Sequence, residues 1–385
     1  MTRAPGESKH GSASTPPRSS DLDLVDEPPP GDEEDEDRGL ELNGRTILTL
    51  CGFLAAMILG LYLLLPQLAG LEDTWSRIGD GSPFWIVLAF AFALGMFWGY
   101  IEMFRGVFSK VAEGVIGRRE SYLITMAGLA ASRIFAAGGA GGLVLQAWAL
   151  RQAGLPRRVV ADKTLSFLVL TYFPYAAAVI ICGVGLRTGI FPGEAPFAMT
   201  VVPAVIALIL MGVASLILLV PTDLQRRLDG FARRTGWIGR IAQKLALIPA
   251  ASSAGLHDAI KHIRSRDPAL LGAVAFWAFQ IAVLWAAFRA FGDAPPLAVL
   301  IQAFFVGMLG NLLPIPGGVG GVEGGMIGAF AAFGVDAGLA VVAVLVFRAL
   351  TFWLPLLPGV ISFFKLRARV EIWRRERGAT IQSKA

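Results

Sequence analysis

Apolar residues in this chain come in long runs. Those over 47–68, 83–104, 159–186, 197–220, 269–291 and 339–363 carry almost no charge. Each is long enough, at about 1.5 Å per helical residue, to cross a hydrocarbon core of roughly 30 Å. Two further apolar regions, 121–150 and 297–334, are each too long for one helix and are interrupted by glycines. The predicted fold class is an all-α polytopic membrane protein with about six full spans and two broken, re-entrant helical hairpins. Composition agrees: 55% of residues are hydrophobic and 16% charged, a balance foreign to soluble domains.

Charge fixes the expected threading. The loop 105–120, the turn RQAGLPRR at 151–158, the segment 221–268 with its nine Lys or Arg, and the C-terminal KLRARVEIWRRER are basic. By the positive-inside rule they face the cytoplasm. LEDTWSRIGDGSP, RTGIFPGEAP and GDAPP are poor in positive charge and face outward. This pattern holds only if 121–150 enters and leaves from the cytoplasmic side while 297–334 enters and leaves from the outer side. The alternative, full crossing and return of each hairpin, preserves the same parity. Glycines at the midpoint favour a re-entrant turn, tolerated at membrane depth where protein or a watery cavity satisfies the backbone.

Five segments follow. Residues 1–44 form an acidic cytoplasmic tail, with eleven Asp or Glu against four Lys or Arg in residues 1–40 and too few apolar groups to order it. Residues 45–220 form the first membrane half and 269–364 the second. Between them, 221–268 reads as a basic amphipathic linker on the inner leaflet, and 365–385 as a basic cytoplasmic C-terminus. The expected location is the inner membrane of a bacterial cell, multi-pass, with both termini cytoplasmic.

The two hairpin regions resemble each other. GGAGG at 138–142 is followed by Gly154 and then LTYF at 170–173; GGVGG at 317–321 is followed by Gly334 and then LTFW at 350–353. From the later glycine onward the offset is a constant 180 residues. Similar halves entering from opposite faces make an inverted repeat, an architecture of transporters whose site lies where broken helices meet near the midplane. Gly138, Gly139, Gly141 and Gly142 turn the first hairpin; Pro314, Pro316, Gly317, Gly318, Gly320 and Gly321 turn the second. Freed N–H groups at such half-helix ends suit an anion. Close helix packing is the competing reading of the glycines, though it does not require the prolines.

Glu323 and Arg348 fall inside apolar runs, where a charge costs about 2.5 to 3.5 kcal/mol on insertion scales, so each is a functional candidate. They can also pair, tying hairpin to helix. Arg348 aligns with Leu168 in the first half, so this charge belongs to one half only. Arg133 is the cationic candidate of the first hairpin. Asn311 and Gln302 could bond a headgroup or another helix. The binding set expected is thus Arg348, Glu323, Arg133 and Asn311, with no catalytic residue. Cys51 and Cys182 lie in apolar segments, and His10, His257 and His262 in the tail and linker. No metal, cofactor or disulfide is expected.

PIPGGVGGVEGG followed by FRALTFWLPLLPG, together with GGAGG and ALRQAG, resembles the lysylphosphatidylglycerol synthase/flippase transmembrane-region family over most of 45–365. The resemblance implies movement of phospholipid, aminoacylated or not, between leaflets, with Glu323 and Arg348 carried over from the second hairpin and the helix after it. Only residues 365–385 follow the last expected span, too few for an aminoacyl-transfer domain, so a non-enzymatic flippase or related transporter working by alternating access is expected. An intramembrane enzyme on lipid or polyprenyl phosphate and a membrane scaffold are the alternatives. The expected partners are membrane phospholipids; a homo-oligomer and a cytoplasmic partner of the acidic tail stay open, and nucleic acid is excluded for want of a recognition motif.

Overall fold

The structure is a computed structural model; it describes residue 52 and residues 81–109, 111–134, 140–218, 258–260, 262–265, 267–313 and 316–382. The span expected at 47–68, the acidic tail, most of the basic linker, Gly138, Gly139 and Pro314 lie outside the described residues. Within them every regular element is helical, and five helical stretches are long and apolar enough to cross a membrane. The chain is an all-α polytopic membrane protein.

The first half runs α1 (Pro83–Phe108), α2 (Arg118–Ile134), α3 (Ala140–Gln152), α4 (Arg157–Arg187) and α5 (Phe197–Leu218). The second runs α6 (Pro268–Phe291), α7 (Leu297–Met308), α8 (Gly321–Ala332), α9 (Ala337–Arg348) and α10 (Leu356–Gln382). A π turn, Ala349–Trp353, joins α9 to α10. Each hairpin is a pair of short arms: α2 with α3, and α7 with α8. At about 1.5 Å per residue, the 12 residues each of α7 and α8 reach about 18 Å, and the 17 and 13 of α2 and α3 about 25 and 20 Å. All fall short of a roughly 30 Å core, the lengths expected of re-entrant arms.

The 180-residue offset is built into the backbone. α3 ends at 152 and α8 at 332; α4 starts at 157 and α9 at 337. Gly154 and Gly334 both stand at positive φ after their arms, at 98° and 74°, a left-handed conformation costly for other residues. Thr171 and Thr351 each turn the hydroxyl back onto the carbonyl four residues earlier, Phe167 and Phe347, at 2.7 and 2.8 Å. The lead helices α1 and α6 pack along their length, drawn close by small residues: a Cβ on Gly272 would sit 2.6 Å from the Met103 nitrogen, and one on Gly106 2.9 Å from the Ala269 nitrogen. The last helix of each half leans on the first hairpin arm of the other, α10 on α2 and α5 on α7.

Lipid as solvent explains the polarity of the surface. Val205, Ile209, Leu210 and Val213 of α5 are exposed, whereas Gln146, Gln280, Gln302, Glu323 and Arg348 are buried. A polar group facing hydrocarbon would lose its hydrogen bonds. Gln302 donates to the Met199 carbonyl at 2.9 Å, so it joins α7 to α5; helix-to-helix bonding is its role. At the start of α4, Lys163 pairs with Asp258 at 2.8 Å, and His262 lies between Asp258 and Asp267 at 3.6 and 3.2 Å. The hydrogen bond with His262 and the Lys163 ammonium hold the Asp258 carboxyl below the ordinary carboxylate range. Lys163 thus ties α4 to the segment that precedes α6.

Candidate functional site

The tip of the second hairpin is made by its glycines. α7 tightens into a 3-10 turn at Leu309–Leu312, a second short turn follows at Pro316–Gly318, and α8 opens at Gly321 behind its cap Gly320. Gly317 and Gly318 lie at φ 61° and 63°, which side-chain-bearing residues rarely adopt. Space is equally restrictive: a Cβ on Gly310 would run into the Gly321 backbone, and one on Gly317 into the Phe352 ring. In the first hairpin, a Cβ on Gly142 would meet Ser132 and the Gly128 carbonyl. The glycines therefore do both things expected of them, close packing between arms and backbone turns at the tip.

Glu323 is the third residue of α8. Its Oε2 accepts the Gly320 N–H at 2.8 Å, closing the N-terminal turn, and its Oε1 accepts Arg348 Nε at 2.8 Å. Both side chains are buried, 1% and 6% exposed. Arg348 also donates from Nη2 to the Gly317 carbonyl at 3.1 Å and lies 4.3 Å from the Phe352 ring centre. The carboxylate thus complements the positive end of the α8 dipole and cancels the Arg348 charge together. The Gly320 N–H, expected to be free for an anion, is taken by Glu323.

Arg133 approaches from the end of α2. Its Nη2 donates to the Thr351 carbonyl at 2.8 Å, and its guanidinium lies 5.5 Å from the other contact of Arg348, the Phe352 ring. The Thr351 carbonyl is available for a plain reason: its helical partner four residues on is Pro355, which has no N–H. The repeat-related Thr171 carbonyl, beside Pro174, is taken by Trp277 Nε1 at 2.6 Å. In both cases the donor comes from the opposite half. Arg133 Nη1 is buried with no hydrogen-bond partner, and among the described residues no carboxylate pairs with Arg133.

These groups border a cavity of about 330 Å³ between the two hairpins. Arg133, Arg348 and Asn311 line it, with Gly142 from the first hairpin and Gly317 and Gly318 from the second. Glu323 stands behind Arg348, outside the lining. Gly141, Pro316, Gly320 and Gly321 shape the arms and turns without reaching the lining. Gln280, Tyr100 and Trp277 also face the cavity and were not anticipated. Gln280 had a legible signal, a lone amide inside AFWAFQIAVLW; its Nε2 is buried without a partner. The aromatic residues had none, because rings in membrane helices mostly pack. The cavity reaches the surface beside Tyr172, which is 56% exposed.

The family model for the lysylphosphatidylglycerol synthase TM region matches residues 46–359. The chain belongs to this family. It is also similar to two proteins described as UPF0104 membrane proteins, both from Methanothermobacter thermautotrophicus (strain Delta H). One is 28% identical over 248 residues, 58% of this chain and 68% of the relative; the other is 24% identical over 264 residues, 64% and 75%. The match to the lysylphosphatidylglycerol synthase TM region takes in both hairpins, the Glu323–Arg348 pair and Arg133, so the whole cavity falls within it.

Proposed function

We propose that the protein is a flippase or related transporter that passes a phospholipid-type headgroup between leaflets, in the inner membrane and with both termini cytoplasmic. The observation that carries this reading is the charge balance of the cavity. Glu323 neutralises Arg348, while Arg133 has no carboxylate partner among the described residues, has one N–H without a partner and borders a space open at the surface. An uncompensated cation at membrane depth is expensive and fits a site that takes an anion in passage. Charge-assisted hydrogen bonds from Arg133 would hold a phosphate, while acyl chains stay in lipid beside Tyr172.

Alternation between faces follows from the repeat. The short arms of the hairpins enter from opposite sides, and the π turn at Ala349–Trp353 touches both: the first through Thr351 and Arg133, the second through Phe352 and Gly317. Rocking one half against the other would exchange these contacts and move the opening from one leaflet to the other. No bond in the lipid is made or broken in this scheme.

The test is a leaflet-specific assay in proteoliposomes, in which fluorescent phosphatidylglycerol in the outer leaflet is reduced by an impermeant reagent. Transport predicts complete loss of fluorescence, at a rate that rises with protein content. Protection of the inner-leaflet half, as in protein-free vesicles, would refute it.

A further inference from the structure

We propose that the cavity selects a phosphate headgroup of net negative charge and rejects headgroups that also carry an ammonium, aminoacylated lipids included. This rests on the reading of the cavity as a headgroup site and adds the class of headgroup. Among the described residues the lining holds two guanidiniums, Arg133 and Arg348, and no carboxylate. The nearby acid, Glu323, is 1% exposed, and its two oxygens are engaged by Gly320 and Arg348. A phosphate therefore meets a net positive wall. A lysyl or alanyl ammonium carried in beside it would meet Arg133 with no protein carboxylate among the described residues to offset it, in surroundings that screen charge poorly.

Aromatic rings could in principle receive an ammonium instead, but Phe352, Tyr100 and Trp277 in the lining already pack against other groups. Phe352 already lies beside both guanidiniums, at 4.3 and 5.5 Å. Tyr100 packs against Phe167 and Phe276 at 5.5 and 5.0 Å, and Trp277 against Tyr175, Phe276 and Phe305 at 5.0 to 5.5 Å.

Native mass spectrometry of the full chain, with phosphatidylglycerol, lysylphosphatidylglycerol and phosphatidylcholine as probes, reads this directly. Phosphatidylglycerol should be retained about tenfold or more over each of the other two, the ratio that one uncompensated charge of modest strength produces. Arg133→Glu should reverse the order in favour of the lysyl lipid, a gain that misfolding cannot imitate. Millimolar inorganic phosphate should leave phosphatidylglycerol bound. Lysylphosphatidylglycerol binding as well as phosphatidylglycerol in the unaltered chain would overturn the inference. So would an order unchanged in folded Arg133→Glu; displacement by phosphate alone would assign the site to a soluble anion. Selective binding without transport would remove the transporter reading and keep this one. Equal transport of both lipids would do the reverse.

Discussion

Glu323→Gln should destabilise the protein by about 3 to 5 kcal/mol, the cost of leaving one member of a buried ion pair without the other. The Arg348 guanidinium would remain charged at membrane depth, facing a neutral amide and the Gly317 carbonyl. The amide could still accept from Gly320, so the helix start is weakened less than the charge balance. Arg348→Met should cost a similar amount by stranding the carboxylate. The double variant Glu323→Gln, Arg348→Met removes both charges and should recover most of the loss, because the pair contributes little beyond cancelling its own desolvation. Thermal unfolding of the purified variants in detergent measures all three. A double variant as unstable as the two single ones added together would mean that the two side chains act independently.

Arg133→Gln should behave in the opposite way. Arg133 makes one hydrogen bond, to the Thr351 carbonyl, and carries a buried N–H with no partner. Glutamine offers an N–H for Thr351 and removes an uncompensated charge, so stability should stay within about 1 kcal/mol or rise. Transport should fall about 10- to 100-fold, the loss of a charge-assisted hydrogen bond of about 1.5 to 3 kcal/mol. Lost activity with retained stability marks a group kept for the ligand rather than for the fold. Measuring unfolding and the leaflet-specific rate on one preparation separates the two. An unaltered rate would remove Arg133 from the site; an unfolded variant would make it structural.

Much of the architecture was legible because lipid demands unbroken apolar runs. The expected spans at 83–104, 159–186, 197–220 and 269–291 fall within a few residues of α1, α4, α5 and α6, and the charge pattern required both hairpins. The break after Arg348 was not read, although Pro355 in LTFWLP marks the carbonyl it orphans. An apolar run looks the same whether a π turn interrupts it or not. The Glu323–Arg348 pairing was foreseen as one of two readings, since charges in hydrocarbon seek each other. Which charge stays uncompensated could not be read, because that depends on Glu323 turning back to cap its own helix. The glycine clusters carried two readings for the same reason: positive φ and close approach select the same residue, and coordinates alone tell Gly317 from Gly310.

Every step here depends on two hairpins that enter from opposite faces and return to them. Cysteines placed singly at Glu113, Arg157, Asp293 and Ala337, all exposed, in a chain with Cys51 and Cys182 replaced by serine, test this with an impermeant maleimide. The first two flank the first hairpin and the last two the second, while Arg157 and Ala337 are repeat mates. The account predicts Glu113 and Arg157 labelled from the cytoplasmic face and Asp293 and Ala337 from the other. Either pair divided between faces, or Arg157 and Ala337 labelled from the same one, would contradict it.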